Sequence, residues 1–154
     1  MKGAFLPSLP SLQHERAQAA LCGFVWRACK SPDVRRVASS SKGIIPLVIQ
    51  QLRDCESEEL KVNMSGFLLV LAGQWVEKLV KTDLVAILSK LLNEGVVPEL
   101  VCNVCACLLV LAQSAVAVEK MKQHGALNGA KRALRFRRDP RLQKFAMGLI
   151  AKLR

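Results

Sequence analysis

The sequence predicts an all-α fold, built as a solenoid of about three helical repeats preceded by half a repeat. Composition favours helices, because Leu, Val and Ala are abundant while only 9 of the 154 residues are Gly and 6 are Pro. A hydrophobic fraction of 51% with a charged fraction of 23% is typical of a chain with an apolar core. An internal repeat with a period near 40 residues indicates stacked units that cannot bury their apolar faces alone.

The repeat is visible in two nearly identical segments. LLVLAG at residues 68–73 recurs as LLVLAQ at residues 108–113, and Asn63 falls on Asn103 at the same shift of 40 residues. A third and weaker copy, AMGLIAKL, lies near the C-terminus. We therefore expect the same helices in the same order in each unit.

Apolar periodicity places the elements of each unit. Residues 44–52 carry apolar side chains at steps of three and four, which is the spacing of one helix face, and residues 84–92 repeat the pattern. Residues 60–76 and 101–112 predict longer helices that are apolar nearly all round, so we expect these helices inside the stack. In the last unit Asp139-Pro140 predicts a helix start, because an N-cap acceptor precedes Pro at the first helical position.

The long helices also predict which leucines lie in the core and which apolar side chains lie at the N-terminal end of the stack. We expect Leu69 and Leu109 to be buried, so that Asp at either position unfolds the chain. A solenoid normally ends in a polar cap, yet Leu21 and Phe24 lack a neighbour on one side of the first half repeat.

The opening residues and the cysteines predict a domain boundary and the cellular compartment of the protein. We expect residues 1–13 to be a disordered N-terminal extension and residues 14–154 to be the repeat domain. The opening residues have no sustained apolar run, so they predict no secretion signal, and the six cysteines then predict free thiols in the cytoplasm.

The 19 uncharged residues between Glu99 and Glu119 approach the ~20 that cross a membrane. They match a shorter segment in the preceding unit, however, and predict a buried helix rather than a transmembrane one.

These units resemble armadillo repeats, in which a short helix, a Gly, a second helix and a loop precede a long third helix. SPDVRRVASSSKGIIPLVIQQL matches this pattern with Gly43 at the first turn, and residues 114–134 match it with Gly125 there. Residues 14–30 look like the third helix of a repeat whose first two helices are absent. The resemblance covers residues 14–154 and implies a right-handed solenoid that binds proteins.

A finer resemblance is to the Cys-rich and Leu-rich armadillo parts of tetratricopeptide-plus-armadillo proteins. It implies a cytoplasmic assembly or co-chaperone role, in the preassembly of ciliary dynein arms. The chain departs from armadillo proteins that bind extended peptides, such as importin-α and β-catenin. Val70 and Val110 stand where those proteins carry an Asn that holds the peptide backbone, and Trp26 and Trp75 form no Trp array. These departures argue against recognition of nuclear localisation signals.

The sequence predicts neither an enzyme nor a bound cofactor. Cys102 and Cys105 form a CxxC motif, but a zinc site takes about four ligands and no second pair has suitable spacing. Cys105 and Cys107 align with positions that the repeat buries, so we predict core cysteines. His124 precedes a helix–helix turn without a nucleophile or acid beside it, and no Gly-rich phosphate loop, HExxH or GxSxG motif is present.

The candidate partner-binding residues are two amides and a set of cations. Asn63 and Asn103 lie early in the long helices at equivalent positions, where they either bind a partner backbone in the groove or tie down adjacent loops. Of the net charge of +11, most lies in residues 115–154, which carry 11 basic and 2 acidic side chains. The cations that we call the basic cluster are Lys131, Arg132, Arg135, Arg137, Arg138, Arg141 and Lys144.

Two functions fit the basic cluster besides a merely solvated end face. The first is a non-catalytic protein-interaction scaffold with an acidic partner. The alternative is a basic surface that binds RNA or anionic phospholipid. Nucleic-acid binding gains from aromatic residues interleaved with the charges, and only Phe136 and Phe145 are available. The composition of the cluster therefore favours a protein partner.

Overall fold

The secondary structure confirms the predicted all-α fold. The structure, a computed structural model, describes residues 9–40 and 43–154, and these residues contain nine helices and no strand. The helices are α1 (Leu9–Ala28), α2 (Pro32–Ser40), α3 (Ile44–Asp54), α4 (Glu58–Leu79), α5 (Leu84–Glu94), α6 (Pro98–Leu111), α7 (Ala115–Gln123), α8 (Ala126–Ala133) and α9 (Pro140–Leu153).

The helices stack in two rows, as a solenoid requires. Helices α1, α4, α6 and α9, which we call the third helices, pack each against the next. The second helices α3, α5 and α8 form the other row, and each packs against the third helix that follows it. The apolar faces of the inner units are therefore covered by their neighbours. Residues 100–108 of α6 are all buried, which confirms a core helix for the first part of the uncharged stretch between Glu99 and Glu119. The rest of the stretch is not the same helix, because α6 ends at Leu111 and a turn leads into α7.

Helix α4 is longer than the periodicity predicts, because it runs through a repeat boundary. In the later unit α6 ends at Leu111, and a turn separates it from α7. Helix α4 instead continues through Gly73 to Leu79, so its last turns serve as the first helix of the next unit. Trp75 and Leu79 are buried on those turns. Tertiary packing therefore maintains the helix across a residue of low helix propensity.

The third helices approach one another closely at residues without a large side chain. A Cβ at Gly66 of α4 would overlap the indole of Trp26 on α1, and a Cβ at Gly148 of α9 would lie 3.1 Å from Leu109 of α6. Ala106 stands at the repeat position of Gly66 and is buried as well. Gly at positions 66 and 148 lets a large side chain of the preceding helix lie directly against the backbone.

Both predicted glycine turns precede second helices. Gly125 separates α7 from α8 with a φ of 72°, in the left-handed region where a side chain is strained. Gly43 precedes α3 with a φ of −89°, which any residue can adopt, so this turn does not require glycine.

The expectation that Leu69 and Leu109 are core residues is wrong. Both side chains are only half-buried, whereas the preceding Leu68 and Leu108 are 3% and 0% exposed. One residue along a helix rotates a side chain by about 100°, which turns Leu69 and Leu109 away from the buried side occupied by Leu68 and Leu108. Asp at the half-buried positions therefore places its charge near solvent.

The N-terminal end of the stack exposes apolar side chains. Leu21 and Phe24 on α1 are 63% and 66% exposed. Phe67 follows Gly66 on α4 as Phe24 follows Gly23 on α1, yet Phe67 is buried. Helix α1 begins at Leu9, inside the predicted extension of residues 1–13, whose first eight residues lie outside the described part of the chain. The domain boundary at residue 14 stays a prediction.

Two glycines of α4 should respond oppositely to the same substitution. We expect Gly73→Ala to stabilise the protein by about 0.5–1 kcal/mol, because Gly73 is helical and exposed and its added Cβ meets no atom within 4 Å. The matched Gly66→Ala should destabilise it by about 1–3 kcal/mol, because Trp26 must move. Urea unfolding of both variants measures the difference, and equal shifts would contradict the close approach of α1 and α4.

Candidate interaction surface

The amides of Asn63 and Asn103 connect adjacent third helices. Asn63 Nδ2 donates to the carbonyl oxygen of Ala19 on α1 at 2.9 Å. Asn103 Nδ2 donates to the carbonyl oxygen of Val62 at 3.2 Å and to Ser65 Oγ at 3.3 Å, both on α4. These contacts support the second of the two predicted roles, with helices rather than loops as the anchored elements. Binding of a partner by either amide stays a prediction, and these internal bonds do not favour it.

A third amide was not recognised from the sequence. Gln143 lies 40 residues after Asn103, and its Nε2 donates to the carbonyl oxygens of Leu134 and Phe136 at 3.1 and 3.2 Å. It therefore holds the loop between α8 and α9. The 40-residue shift also leads to position 143, but it predicts a bond to the preceding third helix, whereas Gln143 bonds to the loop before its own helix.

The loop of residues 134–139 is fixed at further points. The Asp139 carboxylate caps α9 by accepting from the backbone N–H groups of Arg141 and Leu142 at 3.0 and 3.1 Å. Arg135 donates to the carbonyl oxygen of Gly95 at 2.8 Å, and its guanidinium lies 4.7 Å from the centre of the Phe136 ring. The backbone of this loop is thus tied to α9 and to the preceding unit.

The whole basic cluster is exposed, but its members differ in their partners. Arg135 makes the contacts just described, and Arg141 lies 3.6 Å from the Asp139 carboxylate. Within the described part of the chain, Arg137 and Arg138 at the tip of the loop make no ion pair. The structure brings these cations together on α8, the loop and the start of α9. Whether they bind a partner is not tested by this arrangement and stays a prediction.

A shallow cleft lies beside the loop and provides apolar contact next to the charge. Its volume is about 450 Å³, and its lining residues are Pro98, Arg135, Phe136, Arg137, Arg138 and Asp139. Two unpaired guanidinium groups at the rim of an apolar cleft can hold a carboxylate or phosphate group and the carbon atoms attached to it.

The cysteines of the CxxC segment belong to the core. Cys102, Cys105 and Cys107 are buried, and the Cys107 thiol donates to the carbonyl oxygen of Ser65 at 3.6 Å. Burial raises the pKa of Cys105 to about 12, and it raises the pKa of Cys107 as well. Both thiols are therefore protonated at neutral pH and poor nucleophiles. Among the described residues, no three His, Cys, Asp or Glu side chains come together so that they could hold a metal ion.

The architecture is that of an armadillo repeat solenoid. The structure is similar to a designed armadillo repeat protein, with a TM-score of 0.64 and 22% sequence identity over 73% of this chain. The match covers 48% of the designed protein, so the chain spans about half of its length. No protein-family model and no curated protein matches the sequence. None of the helices that the structure describes has the length and apolar character needed to span a membrane.

The cap at Asp139 should make stability depend on pH. Hydrogen bonding from the backbone N–H of Leu142, with the nearby Arg141 charge, lowers the pKa of Asp139. A lowered pKa stabilises the folded state above the ordinary value of about 3.9, and this stabilisation is lost as pH falls through the folded-state value. We expect Asp139→Ala to cost about 1 kcal/mol at neutral pH.

Asp139→Asn is the matched control, because Asn caps helices equally well but does not titrate. The difference in unfolding free energy between wild type and this variant should shrink as pH falls from 5 towards 2 in urea titrations. A constant difference would show that the carboxylate charge is irrelevant at this cap.

The buried thiols should be protected from alkylation. We expect Cys105 and Cys107 to resist iodoacetamide at pH 8 in the folded protein, because their pKa values are raised and their side chains are buried. Both should react fully in guanidinium chloride. Peptide mass spectrometry measures each site separately, and rapid native labelling of either residue would exclude its core position.

Proposed function

We propose that the protein is a non-catalytic scaffold that binds an acidic segment of a partner protein at the basic cluster. The observation that carries this proposal is the loop of residues 134–139. Three side-chain anchors fix it, while Arg137 and Arg138 at its tip are exposed and make no ion pair with other described residues. A charged loop that is already ordered loses little conformational entropy on binding.

The guanidinium groups of Arg137 and Arg138, at the tip of the loop, suit the carboxylates of a protein partner. Each guanidinium can form two parallel hydrogen bonds to one carboxylate, which gives orientation as well as attraction. The neighbouring Pro98 and Phe136 can contact apolar atoms of the same segment, so that binding need not rest on charge alone. A short acidic stretch interrupted by an apolar side chain matches this arrangement.

The same cations would attract RNA or an anionic phospholipid surface, which is the alternative function. Stacking of bases requires an open aromatic face, but Phe136 is half-buried with the Arg135 guanidinium near its ring. This contact favours a protein partner over RNA. Neither a cytoplasmic location nor a role in preassembling ciliary dynein arms gains support from the comparisons, and both stay predictions.

The basic tip can be tested by charge reversal. We expect Arg137→Glu with Arg138→Glu to reduce recovery of the acidic partner from nuclease-treated cytosol by about tenfold or more, which corresponds to at least 1.4 kcal/mol. Quantitative mass spectrometry of the proteins bound to wild-type and variant chains measures this loss.

The control is Lys81→Glu with Lys90→Glu, which changes net charge equally at two exposed lysines outside the basic cluster. This control should keep the partner. Equal loss in both variants would show that only net charge matters. Recovery of RNA or lipid alone, lost steeply with added salt, would establish the alternative function instead.

A further inference from the structure

The loops between second and third helices lie side by side along one edge of the stack. With the helix ends that flank them, we call them the first, second and third edge loops, residues 54–59, 94–99 and 134–139. Arg135 of the third loop donates to the carbonyl oxygen of Gly95 in the second. Glu58 of the first loop and Val96 of the second line one small cleft. The three loops therefore form a continuous row, about 16–20 Å long at 8–10 Å for each pair of packed helices.

The charge of this row changes sign from one end to the other. The first edge loop carries four carboxylates and no cation, and the second carries two carboxylates and no cation. The third edge loop carries three guanidinium groups and one carboxylate. The row is therefore acidic in the N-terminal unit and basic in the C-terminal unit.

Most of the acidic charge of the first edge loop is not neutralised by neighbouring side chains. Lys61 pairs with only one of its four carboxylates, that of Glu58, at 2.8 Å. Arg53 pairs with Asp83, outside the loop, and Lys90 is the one further cation in the cleft beside the loop. Three carboxylates of the loop are exposed and make no ion pair with another described residue, those of Asp54, Glu56 and Glu59. They complement the two guanidinium groups at the tip of the third loop, which also make no ion pair.

The middle of the row provides apolar surface between the two charged ends. Val96 is 67% exposed, and Pro98 in the same loop is exposed as well. Pro98 also lines the cleft that holds Arg137 and Arg138. Protein interfaces typically combine an apolar centre with a polar rim, and the row has this order of surfaces.

A second copy of the chain complements the row when it lies antiparallel to the first. In a twofold dimer both subunits use the same patch, so each contact between different loops occurs twice. The first edge loop of each copy then faces the third edge loop of the other, and the two second loops meet at the axis. Two contacts between opposite charges outweigh the single contact at the centre, where the carboxylates of both second loops come together. Guanidinium groups and carboxylates can also form paired hydrogen bonds at the two end contacts.

We infer that the edge loops form a twofold interface through which two copies of the chain dimerise, the third loop of each bound to the first loop of the other. This inference rests on the proposed function, because it uses the same guanidinium groups and names a second copy as the source of their carboxylates. Dimerisation and an acidic partner protein would then compete for the tip of the third loop.

Charge reversal of either end contact tests the dimer. We expect sedimentation velocity of the full wild-type chain to show a monomer that converts to a dimer as concentration rises. The Arg137→Glu/Arg138→Glu variant should raise the dimer Kd by about tenfold or more, because both of its end contacts then join like charges. An Asp54→Lys/Glu56→Lys/Glu59→Lys variant should do the same for the same reason.

A 1:1 mixture of these two variants should restore the dimer, because every end contact again joins opposite charges. The matched control is Lys78→Glu/Lys81→Glu, which changes net charge as much as the arginine variant does, at two exposed lysines outside the edge loops. This control should dimerise as wild type does. Circular dichroism checks that every variant remains folded.

A wild-type chain that stays monomeric, equal loss of the dimer in the lysine control, or a mixture that stays monomeric would overturn the inference. Species larger than a dimer would also overturn it, because they would show head-to-tail association instead of a closed twofold pair.

Failure of the dimer and failure of the proposed function are distinguishable. The Asp54→Lys/Glu56→Lys/Glu59→Lys variant keeps the basic tip, so it should recover the acidic partner from cytosol at least as well as wild type while losing the dimer. A wild-type chain that recovers the partner but never dimerises would overturn only the dimer. A dimer without a recovered partner would support the twofold interface and overturn only the binding of a different protein.

Discussion

The close approach of successive third helices determines the geometry of the stack. Gly66 and Gly148 allow Trp26 and Leu109 to lie against the backbone of the next helix, and Asn103 adds a hydrogen bond across the α4–α6 contact. Together these contacts fix both the spacing and the rotation of each helix relative to the one before. The direction in which the outward-facing side chains of these helices point depends on that register.

Periodicity predicted the helices and the equivalence of Asn63 with Asn103, because a repeated sequence buries equivalent positions. It could not predict the direction of Leu69, since an apolar run of consecutive residues does not reveal which side chain meets the core. Nor could it predict the continuity of α4, because Gly73 has low helix propensity and only the burial of Trp75 and Leu79 outweighs it. Local pattern therefore identifies the elements, whereas contacts between units decide their ends and rotations.

The basic cluster acts through charge, so it attracts partners over about one Debye length and is weakened by salt. The middle of the chain, residues 43–114, carries 8 acidic and 5 basic side chains, so the positive field is concentrated towards the C-terminal end.

The continuity of α4 also affects how the solenoid bends. A 22-residue helix is a rod about 33 Å long, and it crosses one repeat boundary without interruption. The next boundary, at residues 112–114, is a short turn between α6 and α7. The same rod therefore belongs to two successive units, and these units cannot change their relative orientation without bending α4 itself.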